Sequence, residues 1–200
     1  MFVIGLTGSI AMGKTTTARL FAEEGVPVHD ADAAVHKLYE GEGVKLIEAA
    51  FPGATKDGKV DRVALGQQVV GNPPALQRLE AIVHPLVRTV SDRFIGENEA
   101  RGARVIVLDI PLLFETGRDN KVDAVVVVSA PADVQRARVL KRPGMTAEKL
   151  DALLARQMSD AEKRARAHFV VDSSRSFDSA RAQVHGILRA VASLPGRRIG

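Results

Sequence analysis

Lys14 and Thr15 close a G-x-x-x-x-G-K-T spacing that opens at Gly8, and these are residue types that hold a polyphosphate. Glycines at both ends let the backbone curl so that successive N–H groups point inward, and a helix starting there adds the positive end of its dipole. The Lys14 ammonium reaches the outer phosphates, and the Thr15 hydroxyl is a ligand for Mg²⁺. The context strengthens the motif: an apolar run, F-V-I-G-L over 2–6, precedes it and a helix-forming stretch follows. A plain glycine turn would join a strand to a helix equally well, but it does not account for a Lys-Thr pair at this offset.

Holding a phosphate does not say where the phosphate goes. Asn120-Lys121-Val122-Asp123 spells N-K-x-D, a guanine-reading pattern, but it precedes the apolar run A-V-V-V-V-S instead of following a strand. It therefore belongs at the sheet edge away from the nucleotide. No D-x-x-G, the pattern that senses a terminal phosphate in switches, occurs in the chain. Transfer to an acceptor fits better. Asp30-Ala31-Asp32 ends the second strand-like run V-P-V-H-D, and strand carboxyl ends form the ligand edge of open α/β sheets. One carboxylate suffices to cap the helix that follows, which leaves Asp32 as the expected acceptor-side acid.

Cations to close over the phosphates come from Arg138 and Arg142, one turn apart and leading into the basic turn K-R-P-G-M-T. A mobile basic lid that excludes water is a kinase's protection against hydrolysis. The other arginines and lysines between 136 and 166 read as solvated helix faces.

The elements that must position these groups follow from the apolar pattern. Runs at 2–6, 26–30, 104–109, 124–129 and 168–172 read as five strands, the third and fourth β-branched without alternation, as in strands covered on both faces. Helices are expected over 14–24, from 33 onward to about 98 with breaks at Gly53, Gly58 and Gly71, then over 132–140, 147–167 and 177–194. Pro73-Pro74 opens a long amphipathic segment that Pro85 should kink. Strands separated by helices imply parallel pairing with right-handed crossovers: an α/β sheet with helices on both faces. The tail G-R-R-I-G is expected to fray.

Composition excludes several classes. With no cysteine there are no disulfides, thiolate nucleophiles or Cys-based metal sites. Seven Phe, one Tyr and no Trp are too few aromatics for a base-stacking platform. The net charge of +4 suits small polyanions as well as nucleic acid and selects neither; with no aromatic platform and no helix-turn-helix motif, nucleic acid is not the expected partner. No apolar stretch reaches the ~18 residues of a membrane span, and the N-terminal run reads as a strand instead of a leader. The expectation is one cytoplasmic chain, a monomer, acting on small molecules.

With these pieces in place the sequence resembles the dephospho-coenzyme A kinase family through nearly its whole length. The residues that carry the likeness are G-L-T-G-S-I-A-M-G-K-T, V-P-V-H-D-A-D, H-P-L-V-R over 84–88, P-L-L-F-E over 111–115, and Q-R-A-R-V-L-K-R over 135–142. Two departures stand out. The family loop usually reads G-G-I-G-S-G-K where this chain has Ser9, Ala11 and Met12, and a terminal A-D-x-V-I-x-N pattern is broken at His168 and Asp172.

The resemblance implies a P-loop NTPase-type, parallel five-stranded α/β core over 1–33 and 102–200. It adds a helical acceptor-binding insertion over 34–101 and a small lid about 138–166. It implies transfer of the ATP γ-phosphoryl group to the 3′-hydroxyl of the ribose of dephospho-CoA, with Mg²⁺. The nucleotide-holding set is then Gly8, Ser9, Ile10, Ala11, Met12, Gly13, Lys14, Thr15 and Thr16. Asp32 takes the hydroxyl proton, Lys14 neutralises the outer phosphate oxygens, and Arg142 with Arg138 stabilises the travelling charge. Acceptor contacts fall to Asp32, His84, Arg88, Pro111 and Leu112, and Mg²⁺ to Thr15 and Asp109. Asp109 has a second reading as a local hydrogen-bonding group, and His84 one as a satisfied residue beside Pro85. A kinase of the same fold acting on a nucleoside, nucleotide or sugar acid is the nearest rival reading, and a nucleotide-dependent switch the next.

Overall fold

The computed structural model describes residues 1–196; the rest of the tail, for which fraying was expected, lies outside the described residues. In chain order the elements are β1 (Phe2–Thr7), α1 (Lys14–Glu23), β2 (Val28–Asp30), α2 (Ala31–Tyr39), α3 (Gly43–Ala50), β3 (Thr55–Lys56), β4 (Lys59–Val60), α4 (Arg62–Val69) and α5 (Pro73–Ala100). They continue with β5 (Val105–Asp109), a 3-10 turn (Arg118–Lys121), β6 (Ala124–Ser129), α6 (Ala132–Leu140), α7 (Ala147–Leu154), α8 (Asp160–Arg166), β7 (Phe169–Asp172) and α9 (Phe177–Val191). The chain divides into two compact units, residues 1–29 with 98–200, and residues 30–97.

The first unit is built on a five-stranded sheet of order β2-β5-β1-β6-β7. The pairs β1–β5, β1–β6 and β6–β7 are all parallel. Every residue of β1 and β6 is buried, because helices cover both faces, which is why these strands read as unbroken apolar runs. Phe2, Ile4, Leu6, Leu20, Phe21, Val126, Val128, Val171 and Val184 form the centre of one core cluster. Each large apolar side chain buried in this way contributes about 1.5–3 kcal/mol. Helix α1 begins K-T-T-T, a poor helix-forming start, and is held instead by burying Thr17, Ala18, Leu20 and Phe21.

The second unit is helical around Leu38, Ile47, Phe51, Leu65, Leu79, Val83 and Val87. Two details differ from the sequence expectation. First, residues read as a break around Gly58 form a two-stranded antiparallel hairpin, Thr55 opposite Val60 and Lys56 opposite Lys59. Its turn residues, Asp57 at φ 51° and Gly58 at φ 76°, are the Asp-Gly pair that such hairpins prefer.

Helix α5 runs 28 residues with Pro85 inside it. Second, the single helix expected over 147–167 is two, α7 and α8. Ser159 starts the second with a capping box: its Oγ accepts from Glu162 N–H while Glu162 Oε2 accepts from Ser159 N–H. The S-x-x-E spacing was legible, but the continuous polar-apolar pattern overrode it.

Candidate active site

The phosphate loop is shaped by contacts on its outer side. Gly8 lies so close to β6 that a Cβ there would sit 2.6 Å from the Val128 carbonyl oxygen. Its glycine is thus required by packing, whatever the loop binds. Gly13 is the N-cap of α1 at φ 90°, a conformation open to glycine. Ala11 also sits in the left-handed region, at φ 59°, where an L-residue with a Cβ is strained by about 1–2 kcal/mol.

Met12 is the loop's anchor. It is buried, its Sδ accepts from the Ala130 N–H, its N–H donates to Ser9 O, and its carbonyl accepts from Ser173 Oγ at 2.6 Å. Ser9 is buried as well. Gln135, on α6, donates from Nε2 to Ile10 O at 2.9 Å and holds the loop's other shoulder. Two of the departures from the family loop, Ser9 and Met12, therefore fill the scaffold, and Ala11 carries the strain.

Lys14 Nζ donates to Asp109 Oδ1 at 2.5 Å, with the lysine side chain 15% exposed and the aspartate 3%. The register of the sheet makes this pair: Leu6 of β1 stands opposite Asp109 of β5, so the strand end carrying Asp109 lies beside the start of the loop. Thr15 and Thr16 are exposed on the first turn of α1. Thr7 Oγ1 donates to Pro111 O at 2.9 Å, tying the turn after β5 to the end of β1. Leu112 beside it is 40% exposed, whereas Leu113 and Phe114 are buried.

Arg138 does not point its charge at open solvent. Its Nη1 donates to Ser173 Oγ at 2.9 Å and its Nη2 to Ser173 O at 2.6 Å, so a chain of bonds runs from α6 through Ser173 to the Met12 carbonyl. Arg142 is exposed. Glu115, at the end of P-L-L-F-E, is paired at 2.8 Å with Lys163 of α8, which is fully buried. Glu115 Oε1 also accepts from Met158 N–H at 2.9 Å, and Lys163 Nζ lies 3.5 Å from Pro111 O. Burial raises the Glu115 carboxyl, but the bonds from Lys163 and from backbone N–H groups outweigh it and hold the group below its ordinary value.

The residues that broke the family pattern have structural duties. His168 Nδ1 accepts from Val125 N–H at 3.1 Å. Asp172 Oδ1 accepts from Ser174 N–H and Oγ, which hold its carboxyl below the ordinary range. Asp123 of the guanine-like tetrapeptide accepts from the Val3 N–H at 2.7 Å, at the start of β1 and so at the opposite edge from Gly8–Thr15.

In the unit over 30–97, Asp30 is the N-cap of α2, accepting from Ala33 N–H at 3.0 Å, and Asp32 is exposed in the helix's first turn. Asp32 lines a cavity of about 310 Å³ with Val35, His36, Tyr39 and Arg62. Burial pushes the Tyr39 phenol above its ordinary value, with Arg62 pulling the other way. His84 and Arg88 lie exposed one turn apart on α5.

Sequence reasoning missed Gln135, Ser173 and Lys163. Gln135 gave a faint signal as a polar residue four positions before the buried Val139 on α6. Ser173 gave none, and Lys163, read with its neighbours as part of a solvated helix face, is instead fully buried against Glu115; the partners of both are distant in the chain.

Among the described residues no group of three or more His, Asp or Glu side chains forms a metal cluster. The donors suited to Mg²⁺ are oxygens, the Thr15 hydroxyl and the Asp109 carboxylate, which is the chemistry Mg²⁺ prefers when phosphates supply the remaining ligands.

A parallel five-stranded sheet whose central strand runs into a glycine loop, with a lysine and a carboxylate paired beside it, defines the P-loop nucleotide-binding class. Solved structures with this architecture include a dephospho-CoA kinase from Campylobacter jejuni (TM-score 0.65, 24% identity, 94% of this chain and 96% of that one). A shikimate kinase from Bacteroides thetaiotaomicron also shares it (TM-score 0.54, 15% identity, 96% and 98%). The chain belongs to the dephospho-CoA kinase (CoaE) family, whose model matches residues 2–179. It is 61% identical over 198 residues to a dephospho-CoA kinase of Rhodopseudomonas palustris strain HaA2, covering 99% of this chain and 100% of the relative. It is 58% identical to one from Mesorhizobium japonicum, covering 94% and 95%. A crystal structure from Thermus thermophilus is 36% identical with a TM-score of 0.81 over 98% of both chains.

Proposed function

We propose that this chain transfers the γ-phosphoryl group of ATP to the 3′-hydroxyl of the ribose of dephospho-CoA, giving coenzyme A and ADP. The observation that carries the reading is the full-length likeness to dephospho-CoA kinases at 61% identity.

In the proposed reaction the backbone N–H groups of Gly8–Lys14 and the Lys14 ammonium hold the β- and γ-phosphate oxygens. The paired Asp109 keeps that ammonium in place. Asp32 accepts the proton of the acceptor hydroxyl as its oxygen bonds to the γ-phosphorus and the bridge to the β-phosphate breaks. Phosphoryl transfer has a loose transition state, so positioning and charge neutralisation carry most of the catalysis. Thr15 and Asp109 would hold Mg²⁺, which when bound neutralises charge on the phosphate oxygens. Arg142 closes from the turn after α6, while Arg138 braces the loop through Ser173. His84, Arg88, Pro111 and Leu112 complete the acceptor contacts. The helical insertion over 34–101 is the acceptor-binding region, and the closing lid is the stretch about 138–166. We assign the reaction to the cytoplasm; among the described residues no helix is long and apolar enough to cross a membrane.

The test is ADP release with ATP and Mg²⁺ and, in turn, dephospho-CoA, adenosine, AMP or gluconate as acceptor. ADP should appear with dephospho-CoA, accompanied by coenzyme A. Release with AMP and not with dephospho-CoA would overturn the reading.

A further inference from the structure

The cavity on the 30–97 unit has a composition that Asp32 alone does not explain. Asp32, Val35, His36 and Tyr39 are spaced i, i+3, i+4, i+7 along α2 and so share one face of that helix. Facing them in the lining is Arg62, the first residue of α4. A cation at a helix N-terminus is placed against the helix dipole, which disfavours positive charge there. Nor is Arg62 neutralised by an acid: among the described residues it makes no ion pair within 4.0 Å. The nearby Asp61 accepts from the Val63 and Ala64 N–H groups through Oδ1.

What holds Arg62 is His36, whose Nε2 lies 2.8 Å from Arg62 Nη1. A guanidinium has donors only, so this imidazole nitrogen accepts and carries no proton. The contact fixes the direction of the arginine and leaves its positive charge intact. The result is a pre-set cation with donors to spare, in the same cavity as the carboxylate proposed to meet a ribose hydroxyl.

We propose that Arg62, held by His36, binds the diphosphate of the acceptor. This rests on the proposed function. In dephospho-CoA the diphosphate hangs from the 5′ carbon of the same ribose whose 3′-hydroxyl is phosphorylated. A cavity that receives that hydroxyl at Asp32 thus needs a cation within one sugar's span. A volume of about 310 Å³ is at the small end of ligand pockets. It suits the ribose and diphosphate, against the Val35 and Tyr39 side chains, and leaves the rest of the acceptor outside. The arrangement makes Arg62 a specificity residue: adenosine and gluconate carry no diphosphate and cannot use it.

Arg62→Ala tests this in the full chain. A charge-assisted contact to a phosphate is worth about 1.5–3 kcal/mol, so the KM for dephospho-CoA should rise about tenfold to a hundredfold. The KM for ATP should change less than about twofold, and the competitive inhibition constant of adenosine should stay unchanged. His36→Gln, which keeps an acceptor for Arg62, should be milder than His36→Leu. An unaltered KM for dephospho-CoA in Arg62→Ala would overturn the inference. So would equal weakening of adenosine or of ATP, which would mean a structural role. If the wild-type protein made no coenzyme A, the proposed function itself would fall, a result visible before any variant is measured.

Discussion

Lys163→Met offers the sharpest test of how the turn after β5 is tied down. Wild-type Lys163 is fully buried and lies 2.8 Å from Glu115 Oε1, while the Glu115 side chain is 16% exposed. With the lysine gone, Oε1 keeps the Met158 N–H, whereas Oε2 is already buried without a protein hydrogen bond. Removing one partner of a buried pair costs about 3–5 kcal/mol, and partial exposure puts this site at the low end.

Protonation sets an independent ceiling. A carboxyl with an ordinary value of 4.5 can escape as the neutral acid at a cost of about 3.4 kcal/mol at pH 7. We therefore expect a loss of about 3 kcal/mol at pH 7, or about 6–12 °C in Tm.

The sign of the pH dependence follows. In the wild type Glu115 is held below its ordinary value, so its contribution is present above that value and fades as pH falls through the folded-state value. In the variant the carboxyl is raised, so the folded state is penalised as pH climbs above the ordinary value. The gap between the two proteins should narrow to about 1 kcal/mol near pH 5. The double variant Lys163→Met with Glu115→Gln should recover much of the loss at pH 7, because the amide still accepts from Met158 without burying a charge. Thermal and urea unfolding at pH 5 and pH 7 measure all of this. A loss below about 1 kcal/mol at pH 7, or a gap that does not shrink on acidification, refutes the reasoning.

Lys14→Ala should lower kcat at least as far as Asp32→Ala, for which the loss of a positioned base predicts a factor of about 10²–10⁴. Near-normal turnover by Lys14→Ala in a steady-state assay would remove the phosphate-loop assignment. Ala11→Gly should leave stability unchanged or raise it by up to about 1 kcal/mol, since relief of the left-handed strain at φ 59° is offset by the greater freedom of unfolded glycine. A drop in Tm would show that the Ala11 methyl group has a packing role. Ser173→Ala removes the link between Arg138 and the Met12 carbonyl and should raise the KM for ATP about fivefold to thirtyfold, equivalent to about 1–2 kcal/mol. An ATP KM within twofold of the wild type would mean the loop holds its shape without that link.

The sequence by itself determined whatever depends on neighbours along the chain. The glycine-lysine-threonine spacing, the β-branched runs of β5 and β6 and the Asp30-Ala31-Asp32 step are local patterns, and local backbone preferences turn them into a loop, buried strands and a capped helix. Signals of the same kind, Asp57-Gly58 and Ser159 with Glu162, were present but lost to the longer helical pattern around them.

Only the tertiary structure decided which groups meet. Asp109 reaches Lys14 because β1 and β5 are in register. Arg138 is committed to Ser173, and Glu115 to a lysine 48 positions away, because helices α6 and α8 fold back onto strand ends. Gly8 is needed for its fit against Val128, which no motif encodes. Pair energies depend on distance and burial in three dimensions, and a sequence read in one dimension carries neither.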